Sequence, residues 1–367
     1  MSGGVGLRLP AVAALALFAL AAAAGAAAQD GGSCTAPLKT NDATKPYCYV
    51  PGTISSESQQ FLSKSAVKGA SDVSTASAAQ ALRERFGAGK GQIWKTSDSG
   101  SYFSSVSNGT LGGVPVVTAT PQGFNPGGAG KDRVLVYLHG GAYVVGSCSL
   151  MWAMPGTVAK LLGVREACID YRLAPEHPFP AGLDDVVSAY RELLKTYPAK
   201  NIALLGDSAG GGLTLALLLR LKREGLPQPA AAALYSPWSE LTKSGDTQTT
   251  LTGVDPVLQY ELSLQGPALA YVGGDSSKLT DPLVSPLRAD FSVGSVGQLP
   301  PILIQVGLRD TFLSDCVRLY RKLRDAGQPV ELSPWEGMWH VFEAYDVPEA
   351  RSANEEAAAF LRRHLGL

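Results

Sequence analysis

Histidine is scarce in this chain: His139, His177, His340 and His364 are the only four among 367 residues. Any chemistry that needs an imidazole has few places to look. Cysteine is nearly as rare, with five, and no two cysteines or histidines stand at metal-ligand spacing. No metal and no other cofactor is expected. Charge of one sign never accumulates either. The net charge is −1, with no block of like charges, so the footprint of a nucleic-acid or anionic-membrane binder is missing. No internal repeat is present, and no long amphipathic stretch suited to a lipid surface follows the first 30 residues.

Only Arg8 is charged among the first 29 residues. Ala11 to Ala28 is unbroken apolar or small, and "AGAAAQD" offers an A-x-A cleavage site near Ala28. Residues 1–28 read as a signal peptide, so the mature protein is expected to be secreted or periplasmic, with no stable membrane span. A retained anchor is the competing reading, since 18 such residues approach a bilayer span, but the run is mostly alanine. In an oxidising compartment the neighbouring Cys34 and Cys48 are expected to pair. Cys148, Cys168 and Cys316 fall in core-like contexts and are expected to be free small hydrophobes.

What is present is alternation. Apolar strand candidates at Val114–Thr118, Val134–Leu138, Ala167–Asp170, Ile202–Leu205, Ala231–Tyr235 and Ile302–Val306 are separated by helix-like stretches. That pattern predicts an α/β fold whose mostly parallel central sheet has helices on both faces. Before it, 29–110 reads as an N-terminal segment with helical patterning in "SESQQFLSKSAV" and "SAAQALRERF"; Ser97 to Gly113 reads as a polar link. The main domain is then 111–367.

Within it, "NIALLGDSAGGGLTLALLL" runs a buried strand straight into an apolar helix through Gly206-Asp207-Ser208-Ala209-Gly210. This is the G-x-S-x-G pattern, which lifts a serine above the sheet edge on a sharp turn. The bland reading is a glycine-rich turn that only lets two elements pack. A second cluster, His139-Gly140-Gly141-Ala142, follows another strand and offers unobstructed backbone N–H groups of the kind an oxyanion hole needs.

A nucleophilic serine needs a base. His177 lies in the proline-punctuated "YRLAPEHPFPAGLDD", His364 in a basic terminal helix, and His139 at a strand end where holding its loop is the natural role. Elimination leaves His340 in "MWHVF". Asp310, four residues beyond Val306, is the candidate orienting acid; Asp315 is the alternative, inside the following helix. The order Ser208, Asp310, His340 is that of α/β hydrolases.

Together, "HGGAY", "YRLAPEHPFPA", "GDSAGG", "SPWSEL", "GLRD" and "MWHVF" resemble the hormone-sensitive-lipase-like branch of the α/β-hydrolase esterases, over roughly residues 51–367. The resemblance implies an α/β-hydrolase fold with a helical cap, built from the N-terminal helices plus an insertion near 240–283. It implies a serine carboxylesterase acting on short to medium acyl esters or small lactones, with Gly140, Gly141 and Ala209 supplying oxyanion N–H groups. Where relatives often carry a third glycine this chain has Ala142, as many of them do. Tyr143, Trp238 and Trp339 abut the site motifs and are candidates for a substrate pocket, with plain core packing the equal alternative. Two other readings stay open: a small-molecule-binding protein on the same scaffold, and a dedicated lactone hydrolase. Nothing in the residues argues against a homodimer.

Overall fold

The computed structural model describes residues 50–64, 73, 75–88, 102–150 and 153–367. The leader and the Cys34–Cys48 pair lie outside the described residues.

Eight strands form one sheet: β1 (Phe103–Leu111), β2 (Val114–Pro121), β3 (Val134–Leu138), β4 (Arg165–Ile169), β5 (Ile202–Asp207), β6 (Ala231–Tyr235), β7 (Ile302–Gly307) and β8 (Val330–Trp335). Their spatial order is β1-β2-β4-β3-β5-β6-β7-β8. The β1–β2 and β2–β4 pairs are antiparallel, and the rest of the sheet is parallel. Strands β3, β5, β6 and β7 are buried along their whole length. That explains their continuous apolar sequence, because both faces of a parallel sheet are covered by helices.

Helices α1 (Ser56–Lys64) and α2 (Ala76–Ala88) precede the sheet; α3 (Ala153–Leu162), α4 (Ala181–Leu193), α5 (Ala209–Arg223), α6 (Gln265–Tyr271), α7 (Leu313–Asp325) and α8 (Pro348–Leu365) follow in order. Helix α3 packs on α8, α4 packs on α5, and α7 lies against β7 and β8. Between β6 and β7, a π-turn at Tyr260–Leu264 leads into α6, outside the sheet.

Two sequence readings need correction. The stretch 97–113, read as a link, contains β1, whose "FSSVSNGTL" is buried at Phe103 and largely exposed beyond it. An edge strand facing water on both sides has no apolar alternation to betray it. Cys148 and Cys168, read as free, form a disulfide across 20 residues, with Cα atoms 5.6 Å apart; Cys316 is free and buried. Closing such a loop contributes about 3 kcal/mol in the chain-entropy model. It ties the chain leaving the β3 loop to β4.

One buried group makes stability depend on pH. Glu166 on β4 is 1% exposed, and its Oε2 has no hydrogen-bond partner among the described residues. Burial pushes its pKa from the ordinary 4.5 up to about 8. The folded chain therefore holds this proton where the unfolded chain releases it. The advantage is full below about pH 4.5 and is lost as pH rises toward 8. Each tenfold change in proton affinity is worth about 1.4 kcal/mol, so the loss reaches several kcal/mol. Glu166→Gln is expected to flatten this decline. Urea unfolding of both proteins at acidic and mildly alkaline pH tests it, and equal slopes would refute it.

Candidate active site

The parallel register brings the carboxyl ends of the central strands abreast. Leu138 pairs with Gly206, Asp207 with Tyr235, Tyr235 with Gln305, and Gly307 with Trp335. The loops carrying His139, Ser208, Ser236, Asp310 and His340 consequently leave one edge of the sheet, where open α/β sheets gather their ligands.

Ser208 sits on the turn between β5 and α5 with φ 51° and ψ −120°. The strained backbone is at the serine itself. Gly206 and Gly210 are needed for a different reason: a Cβ on Gly206 would come within 2.5 Å of the Gly210 carbonyl and the Thr214 hydroxyl, and one on Gly210 would run into the Leu138 carbonyl. The glycines let helix, strand and neighbouring loop close to contact distance. Among the described residues, the non-glycine positions with positive φ are Ala142, Tyr143, Ser208, Ser236 and Val341. All five lie in these loops. Strain of this kind costs about 1–3 kcal/mol per residue and gathers where function over-determines the backbone.

His340 is fully buried, and its Nε2 lies 3.0 Å from the Ser208 Oγ. Its Nδ1 lies 3.2 Å from each carboxylate oxygen of Asp310. With the Nδ1 proton donated to Asp310, Nε2 is left to accept the serine proton. Burial pulls the imidazole pKa down. The charge and hydrogen bond of Asp310, then Asp255 and Asp207 farther off, outweigh it and leave the pKa above the ordinary 6.5. The Phe312 N–H donates to Asp310 Oδ1 at 2.7 Å, and the Phe312 ring meets His340 edge-on at 4.9 Å. The acid and histidine loops are joined directly: the Arg309 N–H donates to the Met338 carbonyl at 2.9 Å, and a Cβ on Gly307 would strike that carbonyl. From the β6 end, Ser236 Oγ accepts the Val341 N–H at 3.1 Å.

The other candidates are placed elsewhere. Asp315 on α7 accepts from Gln248 Nε2 at 2.8 Å and pairs with Arg318 at 3.2 Å. The His139 Nδ1 is 2.8 Å from the Gly140 carbonyl, its ring stacks on Tyr171, and the Tyr171 hydroxyl donates to its carbonyl at 2.6 Å. His177 is exposed, and His364 packs on Phe360.

Of the three amides expected to form an oxyanion hole, that of Gly140 is engaged elsewhere. The Gly140 N–H is not turned into the site; it donates to Asp207 Oδ1 at 3.0 Å, beside the Tyr137 hydroxyl on the same oxygen at 2.6 Å. Burial raises the Asp207 pKa, while these donors and the nearby histidines pull it back in part. The amides of Gly141 and Ala142 carry no hydrogen bond among the described residues. Asp207, the residue between Gly206 and Ser208, thus ties the serine turn to the glycine loop.

The aromatic candidates divide. Tyr143 stacks on Tyr271 of α6 at 3.8 Å and leans on Trp238 at 5.8 Å; Trp238 in turn stacks on Phe312. Trp339 instead stacks on Phe61 of α1 at 4.1 Å, fastening the N-terminal helix beside the histidine loop. Glu349 of α8 holds that helix's start, accepting from Ser55 N at 2.6 Å and from the Ser55 and Ser58 hydroxyls at 2.8 Å. Arg83 of α2 donates to the Val144 and Ala174 carbonyls at 2.7 and 2.6 Å and pairs with Glu176.

A family model described as the α/β-hydrolase fold matches residues 135–344. An acetyl-hydrolase from Streptomyces hygroscopicus is 38% identical over 237 residues, 64% of this chain and 77% of that protein. The crystal structure of an esterase from the bacterial hormone-sensitive lipase family superposes with a TM-score of 0.66 at 38% identity, over 71% of this chain and 84% of that one. A second solved esterase reaches 0.76 at 32% identity, over 86% and 96%. Sheet order, strand-end loops and these matches agree: the chain belongs to the α/β-hydrolase fold family, in the hormone-sensitive-lipase-like branch of its carboxylic ester hydrolases.

Proposed function

We propose that this protein is an exported serine esterase that cleaves short to medium acyl esters by way of an acyl-enzyme. The observation that carries the reading is the buried relay from Ser208 Oγ through His340 to the Asp310 carboxylate, with gaps of 3.0 and 3.2 Å. Ser208 Oγ attacks the ester carbonyl while His340 Nε2 takes its proton. The same histidine then protonates the departing alkoxide as the carbonyl re-forms. Water, deprotonated by His340, then attacks the acyl carbonyl, and the imidazolium returns that proton to Ser208 Oγ as its bond to the acid breaks. Asp310 holds the tautomer and stabilises the imidazolium. The developing oxyanion is met by the amides of Gly141 and Ala142 and by Ala209 at the start of α5, where the helix dipole adds to the field. The presence of His340 within reach of the serine favours hydrolysis over simple ligand binding on this scaffold.

Acyl length is limited by the elements fastened around the site. Helices α1 and α2 and the insertion carrying α6 are fastened to its loops by Trp339, Arg83 and Tyr143. No described helix is long and apolar enough to cross a membrane. Export is supported by the leader pattern and by the Cys148–Cys168 disulfide, a bond that persists in oxidising compartments. The test is kcat/KM across p-nitrophenyl esters from acetyl to palmitoyl, with a small lactone alongside. A maximum at short to medium chains is expected. A maximum at palmitoyl that climbs further on emulsified substrate would refute the reading.

A further inference from the structure

Asp255 lies in the insertion, 55 residues before Asp310 in sequence, and it is fully buried. A carboxylate removed from water needs a compensating set of donors, and here the set is divided. Oδ1 accepts the N–H groups of Val257 and Leu258 at 2.9 and 3.3 Å, within its own segment. Oδ2 reaches across to the N–H of Thr311, at 2.9 Å. Thr311 is the residue that follows the acid of the relay. Its other polar atoms are held by the same insertion: its hydroxyl donates to the Leu258 carbonyl at 3.1 Å, and its carbonyl accepts the Thr247 hydroxyl at 2.9 Å. The backbone that aims Asp310 is thus gripped by a segment outside the sheet.

We propose that Asp255 is a positioning residue for the esterase reaction, through which the insertion holds the Asp310 loop and adds a second negative charge behind His340. The inference rests on the Ser208–His340–Asp310 reading above. Facing Asp255 are Asp310 from the acid loop and His340 and Tyr345 from the histidine loop. Burial and then the Asp310 charge push its pKa up to about 6, so it is mainly ionised at neutral pH. In that form it favours the imidazolium that appears when Ser208 loses its proton. The insertion is therefore part of the catalytic geometry as well as a cover.

The test uses the full chain with p-nitrophenyl acetate and compares Asp255→Asn, Asp255→Ala and Asp310→Asn, with active sites counted by an alkyl fluorophosphonate that labels Ser208. Counting separates lost chemistry from lost protein. Asp255→Ala is expected to lower kcat per titrated site by roughly ten- to hundredfold, since small misplacements near the reacting groups cost that much. KM should stay within about threefold. Asp255→Asn keeps one acceptor without the charge and should recover part of kcat. In both variants the acid limb of kcat/KM should move to lower pH, because His340 loses a charge that raises its pKa. Unchanged kcat per site and an unchanged acid limb, with Asp310→Asn crippled, would overturn the inference and leave the triad standing. An active Asp310→Asn would overturn the triad reading itself.

Discussion

Ser208→Ala is expected to lower kcat/KM on a simple acetyl ester by about four to six orders of magnitude, and His340→Ala by as much. The reason is the shared proton. The Ser208 hydroxyl is a poor nucleophile unless its proton has somewhere to go, and His340 Nε2, 3.0 Å away, is within reach to accept it. Removing either partner leaves the oxyanion amides and the bound substrate, which sustain only a residue of the rate. The double variant should therefore be no worse than either single one. Ser208→Ala should melt close to the parent, since it removes one hydroxyl at a site 6% exposed. Near-normal turnover in either single variant would end the assignment.

The second large effect separates two acids in one loop and helix. Asp310→Asn should lower kcat by roughly four orders of magnitude, because an amide can donate to Nδ1 and stabilise the tautomer whose Nε2 carries the proton. Asp315→Asn should change kcat by no more than about threefold. Both Asp315 oxygens are taken by Gln248 and Arg318 and neither meets His340, so its loss leaves the Ser208–His340–Asp310 contacts in place. The opposite ranking would move the acid to Asp315. In the parent, the acid limb of kcat/KM should fall above the free-imidazole value of 6.5, because the His340 pKa is raised and its proton must be lost for it to act as base.

Much of this site was legible because its signals are local. The step from "IALL" to "GDSAG" marks a strand ending in a turn, and "VLVYL" before "HGGA" marks another; apolar runs and glycine report on the few residues around them. With four histidines to choose from, elimination could reach His340. The order Ser208, Asp310, His340 followed from placing each beyond a strand. The illegible parts share a different character. β1 lacked apolar alternation because it is an edge strand exposed on both sides. Gly140 and Ala142 cannot be ranked as oxyanion donors until Asp207 is seen to claim the Gly140 N–H.

The amino-acid sequence by itself determined the alternating α/β architecture, the strand-end positions of Ser208, Asp310 and His340, and the resemblance to capped esterases. Those depend on periodicity and punctuation within short windows. Only the tertiary structure decided that Cys148 bonds Cys168, that Gly140 turns to Asp207, that Trp339 serves α1, and that Asp255 grips Thr311. Each is a choice of partner between residues distant in sequence or on different loops. A buried donor or acceptor takes whichever group packing brings within about 3 Å, and the composition of its own segment carries no record of which group that is.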